Sequence, residues 1–271
     1  MERIYFSELL PINHPNSWKE IKKVLEKHQQ PYSLLKGTKD IWCRDYMPVK
    51  NANRALVQFK YEPSYLLKDL HLQSSPSSIL KQNHINAKNS ILNLDGGNVE
   101  LINTTAILTE RVFKENPSLE KKEIIHQLSN DLACTPYFVK DITTDMTGHI
   151  DGYLRIIKEG LVVVNQLDGD LVYIQKSFKR LIKKIKWEYF EMPWFDYKAK
   201  DNPIESAIGV YVNFLVLNNF VLFPIFEVEG NKDQEALNII QKIYPNKIIE
   251  PININEIAKL GGLINCISWC D

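Results

Sequence analysis

Three short segments of the chain gather side chains able to do covalent chemistry. Gly148-His149-Ile150-Asp151-Gly152 sets an imidazole and a carboxylate two residues apart between glycines. Gly261-Gly262-Leu263-Ile264-Asn265-Cys266 brings a thiol in behind paired glycines. Trp42-Cys43-Arg44-Asp45 puts a second carboxylate near an indole ring. An ionised thiol is a strong nucleophile, and an imidazole moves protons near neutral pH. Carboxylates hold and orient cations. The set suits attack by sulfur on the carbon of a planar cation, and a guanidinium group is such a cation.

Each segment also has a plainer reading. Cys266 taken alone is a buried cysteine in a terminal strand, because free cysteine is among the most buried residue types. A nucleophilic role requires something that stabilises its thiolate. In an extended segment His149 and Asp151 would share one face; the alternative is a turn histidine with an aspartate capping the loop. Arg44 and Asp45 before Pro48 can be an ordinary pair at a strand end. In the functional reading Trp42 lies against a flat cation and Asp45 takes its N–H edge. Cation–π contact contributes about 0.5–2 kcal/mol, and each charge-assisted hydrogen bond roughly 1.5–3 kcal/mol. The carboxylates therefore dominate the choice of cation. Asp95, in Asp95-Gly96-Gly97-Asn98, offers a third carboxylate or a plain Asp-Gly turn.

The remaining sequence bounds the setting. With 271 residues, 44% hydrophobic and 24% charged, the chain is an ordinary globular composition, read as a single domain over 1–271. Lys plus Arg (33) equals Asp plus Glu (33), so no global field favours nucleic acid or an anionic membrane as partner. The basic run Lys176, Lys179, Arg180, Lys183 and Lys184 reads as a solvated helix face. The longest apolar stretch, Val210 to Phe226, is broken by Asn213, Asn218, Asn219 and Pro224 and does not make a membrane span. The first eight residues lack a signal-peptide pattern, and four cysteines without a Cys-x-x-Cys pair suggest reduced thiols in a cytoplasm. Cys43, Cys134 and Cys270 read as buried or incidental. The spacing of Cys266 and Cys270 is poor for zinc, and no metal site is expected.

The elements that must position these residues alternate between strand and helix. Helical spacing predicts helices over Ser17 to His28 (Ser17 as N-cap, Glu20 completing a capping box), Pro117 to Leu128, Val172 to Ile185 and Asn231 to Ile243, with a short one near Ile254 to Lys259. Strands are predicted over 55–61, 91–94, 99–101, 105–108, 137–139, 153–157, 161–165, 187–190, 210–217, 220–226, 247–250 and 264–269. Turns at Lys158-Glu159-Gly160 and Asn218-Asn219 make hairpins. Tyr65 to Asn89, polar and serine-rich, reads as a long surface loop with a helical turn in it. The recurring order of two strands, helix, strand means an α/β or α+β fold, and the hairpins exclude a purely parallel doubly wound sheet.

Trp42-x-Arg44-Asp45-x-x-Pro48, Asp95-Gly96-Gly97-Asn98, Gly148-His149-x-Asp151-Gly152, Tyr211-Val212-Asn213-Phe214 and Gly261-Gly262-x-x-x-Cys266 occur in that order. From about Thr38 to the C-terminus the chain thereby resembles the agmatine deiminase and bacterial-type peptidylarginine deiminase family of the guanidino-group-modifying superfamily. The resemblance implies a pentein fold, a five-bladed β/α propeller of ββαβ units. The short N-terminal part implies an incomplete first blade. It implies Cys266 as nucleophile, His149 as general acid and base, Asp45 and Asp151 as the grip on the guanidinium, and Trp42 and Arg44 at the substrate. Asp95 and Asn213 would support the site. No cofactor is implied, the partner is a small guanidinium compound, and a homo-oligomer is compatible. Asn265 and Asp95 stand where relatives often carry histidine and glutamate. Hydrolysis of agmatine, arginine or a peptidyl arginine thus stays open, with amidino transfer or guanidine binding without turnover as alternatives.

Overall fold

A computed structural model describes residues 3–142, 145–167, 171–197 and 206–271. Its framework is five three-stranded sheets of one design. The first holds β1 (Ile4–Ser7), helix α1 (Pro15–Lys27) and β2 (Tyr32–Leu35). The second runs β3 (Val49–Lys50), β4 (Leu56–Lys60), α2 (Pro76–Gln82), β5 (Lys88–Asn93). The third runs β6 (Glu100–Ile102), β7 (Thr105–Thr109), α3 (Lys121–Leu132), β8 (Thr135–Val139). The fourth runs β9 (Leu154–Lys158), β10 (Leu161–Asn165), α4 (Val172–Ile185), β11 (Glu188–Met192). The fifth runs β12 (Leu215–Val216), β13 (Phe220–Ile225), α5 (Asp233–Ile243), β14 (Ile248–Asn253). In the second to fifth sheets the first two strands pair antiparallel and the third joins parallel after a crossover helix. This is the five-bladed ββαβ propeller.

The first blade corrects the sequence reading. No strand was expected before residue 55, and the blade was expected to be incomplete. Its missing strand comes from the far end of the chain. β15 (Trp269–Cys270) pairs antiparallel with β1, which pairs parallel with β2. The ring is closed by its two chain ends. Trp269 secures the closure: it is fully buried, packs on Tyr5 with ring centroids 5.0 Å apart, and donates Nε1–H to the carbonyl of Pro48 at 2.7 Å.

Middle strands carry the core. Val162, Val163 and Val164 of β10 are all buried, as a β-branched run covered on both faces requires. Ile174, Phe178 and Leu181 make the buried stripe of α4, and the lysines of that helix lie off it, with Lys184 over the ring of Tyr137. Tyr211, Phe214, Phe220, Phe223 and Phe226 join Phe6 in the largest cluster, between the fifth and first blades.

Other differences are local and have local causes. α1 begins at Pro15, not Ser17; proline suits the first helical position, and the Ser17 hydroxyl instead donates to Glu256 at 2.9 Å. α3 begins after Glu120, whose capping box with Glu123 lies three residues beyond the expected start. The 65–89 region is not a loop: Pro76–Gln82 is the crossover helix of the second blade, and it buries Ile79 and Leu80. The expected strands over 210–217 and 264–269 shrink to β12 and β15, because the preceding residues turn inward to the site. Among the described residues no helix is long and apolar enough to cross a membrane.

Candidate active site

Each connection from the outer strand of one blade to the inner strand of the next delivers part of one cluster. Asp45 lies in the helical turn Cys43–Tyr46 between β2 and β3. Asp95 follows β5 and leads the 3-10 turn Gly96–Asn98. His149 leads the 3-10 turn Ile150–Gly152, which contains Asp151, before β9. Asn213 precedes β12, and Cys266 precedes β15. Five junctions around one axis thus bring together residues up to 221 positions apart in the chain.

An imidazole between two carboxylates forms one half of the site. His149 Nε2 meets Asp95 Oδ2 at 2.9 Å, and its Nδ1 lies 3.5 Å from Asp45 Oδ1. The motif Asp95-Gly96-Gly97-Asn98 explains itself residue by residue here. Gly97 N–H donates to Asp45 Oδ1 at 3.2 Å. The Asn98 amide oxygen accepts from the backbone N–H and the hydroxyl of Thr109, and that hydroxyl reaches the Gly148 carbonyl at 2.7 Å. Gly97 must lack a side chain: a Cβ there would sit 2.5 Å from Asp45 Oδ1, 2.8 Å from His149 Nδ1 and 3.5 Å from Asp151 Oδ1. Two carboxylates and the imidazole face that bare point.

The thiol forms the other half. Cys266 Sγ lies 3.6 Å from Asp151 Oδ2 and accepts a hydrogen bond from Asn213 Nδ2 at 3.1 Å. Asn265 donates Nδ2–H to Asp151 Oδ2 at 2.7 Å, and its own oxygen accepts from Arg44 Nη2 at 3.1 Å. Asn213 Oδ1 accepts the Asn265 backbone N–H. Trp42 packs edge-on against Gly262, where a Cβ would come within 2.3 Å of its ring; the bare residue lets the indole approach the cysteine turn.

All eight residues predicted for the site are therefore in or beside one cluster. Arg44, expected at the substrate, reaches Asn265 with its side chain and the Cys266 carbonyl with its backbone N–H. His149 and Asp151 converge through a 3-10 turn, not the extended segment that their spacing suggested.

Burial and charge set the protonation states. Burial pushes the Cys266 thiol well above its ordinary value, and the nearby Asp151 and Asp45 carboxylates push it further. Burial also raises Asp45 well above the carboxylate range, against the opposing pull of His149. For His149 burial works downward, but Asp45, the hydrogen bond to Asp95 and the charge of Asp151 outweigh it and raise the ring to about 10. These directions favour the imidazolium form of His149, stabilised by the charge of the flanking aspartates, and the neutral form of the Cys266 thiol.

Sequence reasoning passed over Tyr65, whose hydroxyl donates to Asp95 Oδ2 at 2.8 Å. It sits in a segment read as loop, with no motif around it. Asn265, a departure from the relatives' pattern, holds Asp151.

The chain is similar to known proteins along its length. A sequence profile described as Porphyromonas-type peptidyl-arginine deiminase matches residues 7–270. A Photobacterium profundum protein, named as an inferred agmatine deiminase, is 25% identical over 206 residues, covering 65% of this chain and 56% of that protein. The chain thus matches little more than half the length of such curated relatives. In fold it is similar to C. jejuni agmatine deiminase with substrate bound (TM-score 0.78, 18% identity, 99% of this chain and 92% of that one). It is equally similar to agmatine deiminase of Enterococcus faecalis (TM-score 0.78, 17% identity, 100% and 93%). With its profile match running from the first blade to the closing strand, the chain belongs to the Porphyromonas-type peptidyl-arginine deiminase family.

Proposed function

We propose that this chain is a cysteine-dependent deiminase that converts a guanidino group to a ureido group and releases ammonia. The observation that carries the reading is the convergence of Asp45, His149 and Asp151 at the bare face of Gly97, with Cys266 Sγ 3.6 Å from the far oxygen of Asp151. A cluster with this excess of carboxylate calls for a cationic guest. The substrate bound in the C. jejuni relative supports a small guanidinium compound in that place.

The chemistry follows from the charges. A guanidinium entering between Asp45 and Asp151 is held protonated and oriented by charge-assisted hydrogen bonds. Its positive charge offsets the carboxylate field that keeps the proton on Cys266, and the thiol loses that proton to solvent. The thiolate attacks the guanidinium carbon and forms a tetrahedral adduct. His149, whose neighbouring carboxylates favour its imidazolium form, gives its proton to one nitrogen, the C–N bond breaks, and ammonia leaves. The S-alkylthiouronium that remains is attacked by water, with neutral His149 now taking the water proton. The C–S bond breaks, the thiolate departs and the ureido product is released. Asn213 holds the sulfur, Asn265 holds Asp151, and Arg44 fixes the orientation of Asn265. Trp42 lines the pocket wall.

The test is ammonia and ureido-product formation from agmatine, free arginine, an internal-arginine peptide and a C-terminal-arginine peptide. Turnover that vanishes in Cys266→Ala is the expected result and names the substrate class. Thermal stabilisation by a guanidine without any turnover would sink the reading.

A further inference from the structure

Asp95 Oδ2 serves two donors at once, the Tyr65 hydroxyl at 2.8 Å and His149 Nε2 at 2.9 Å. The Tyr65 ring also stands edge-on to the imidazole, with centroids 6.2 Å apart. Tyr65 arrives from the short turn Ser64–Leu66, which has little core of its own: Ser64 is exposed and Tyr65 and Leu66 are half-buried. That turn is held from outside. Glu115 accepts the Ser64 backbone N–H at 2.9 Å and its hydroxyl at 2.7 Å. Arg111 donates to Glu115 at 2.8 Å, to the Ser64 hydroxyl at 3.2 Å and to the Met146 carbonyl at 3.2 Å. Met146 lies three residues before His149. One guanidinium thus ties the segment that carries Tyr65 to the segment that carries His149, and both side chains meet on one carboxylate oxygen.

We propose that Tyr65 is a positioning residue that moderates the basicity of Asp95 and so keeps His149 able to release its proton, and that the Arg111–Glu115 clamp holds Tyr65 in that place. This rests on the deiminase reading, in which His149 must give a proton in one step and take one in the next. An Asp95 with no second donor would bind the imidazolium proton more tightly, and so hinder the step in which His149 gives its proton while favouring the step in which it takes one. The groups facing the pair are few. Asp45 and Asp151 act on His149, while Tyr61 and Asp40 lie on the Asp95 side with Tyr65. The Tyr65 hydroxyl is the neutral donor that the described residues bring to Asp95 beside the imidazole.

The experiment follows the His149 ring resonances by NMR across a pH titration of the full chain, with His149→Asn assigning them, and sets the pH–rate profile beside it. Tyr65→Phe keeps the ring and removes the donor. It is expected to move the His149 midpoint upward by about half to one pH unit, the worth of one hydrogen bond, and to lower kcat several-fold with the alkaline limb moving the same way. Arg111→Met is expected to give the same direction with a smaller size. The double variant should move the midpoint no further than Tyr65→Phe alone, since both act through one contact. If Arg111→Met does not fold, Glu115→Gln tests the same clamp. An unchanged or lowered midpoint in Tyr65→Phe overturns the proposal, as does full additivity in the double variant. If no guanidine is turned over but the midpoint moves upward, the deiminase reading fails and the Tyr65 contact to the acid–imidazole pair stands.

Discussion

The two halves of the site are held by different forces. The thiol half is stitched through the backbone. The Arg44 N–H reaches the Cys266 carbonyl at 3.1 Å, the Cys43 thiol meets the Ile267 carbonyl at 3.0 Å, and the Trp269 indole reaches Pro48 at 2.7 Å. Directly after it, β15 pairs with β1 and closes the ring. The acid–imidazole half rests on charged side chains, with His149 between Asp45 and Asp95 and its flanking turn tied by Thr109 and Asp145. Placing the sulfur is therefore part of closing the fold, while placing the proton is a matter of charge. Mutations on the first side should register in stability and on the second in pH dependence.

The largest expected effect separates chemistry from closure. Cys266→Ala should remove turnover by at least about a thousandfold, the worth of a covalent nucleophile, with an unfolding midpoint in urea close to the parent. A marked loss of stability would show that the thiol is a core residue and would erase the contrast. Trp269→Ala should do the reverse. Deleting this buried indole is expected to cost about 3–5 kcal/mol, read by urea unfolding, with turnover surviving at low temperature in whatever fraction stays folded.

The fold was legible in the middle of the chain and obscure at its ends. The run Leu161-Val162-Val163-Val164 and the stripe of Ile174, Phe178 and Leu181 declare their elements, because burial and periodicity agree there. Ile4–Ser7 and Tyr32–Leu35 did not, being four residues each and paired with partners 266 and 28 positions away, such as Ile4 with Cys270 and with Tyr32. No local pattern encodes that pairing. In the site, the charged and nucleophilic residues were readable because their types are scarce and their glycines unusual. The bond of Arg44 to Asn265, the hold of Asn265 on Asp151 and the place of Tyr65 were not, since a hydrogen bond between side chains on different blades leaves no trace in spacing. Gly97 shows the other limit: its motif was visible, but its reason, three polar atoms converging where a Cβ would stand, exists only in the folded chain.

Asn265 holds Asp151, the carboxylate that lies both beside the sulfur and at the Gly97 face shared with Asp45 and His149, so its removal should touch chemistry and stability together. Asn265→Ala takes from Asp151 a 2.7 Å donor and from Arg44 its acceptor, at a position 1% exposed. Hydrogen bonds to charged groups are worth roughly 1.5–3 kcal/mol, so kcat should fall between about ten- and a hundredfold, with stability lost on a similar scale. A variant with parent kcat and reduced stability alone would assign Asn265 wholly to the closure side.

The smallest expected effect is the most direct probe of how the halves speak to each other. Burial together with Asp151 and Asp45 raises the Cys266 thiol, so the neutral form prevails at pH 7 and the thiolate fraction grows about tenfold per pH unit. Alkylation by iodoacetamide, assigned to Cys266 by difference from Cys266→Ala, should therefore be at least roughly tenfold slower at pH 7 than for a free cysteine and should still be climbing at pH 9. Asp151→Asn removes one of the two carboxylates that hold the proton on sulfur, and should quicken the reaction at pH 7. A rate that levels off below pH 8 would mean that the thiolate is preformed by some other neighbour. The acid half would then have no part in restraining the nucleophile, and a guanidinium would not be needed to release it. A rate that climbs, and quickens in Asp151→Asn, makes the substrate's own charge the trigger: the carboxylates that attract the cation are the same ones that keep the sulfur silent until it arrives.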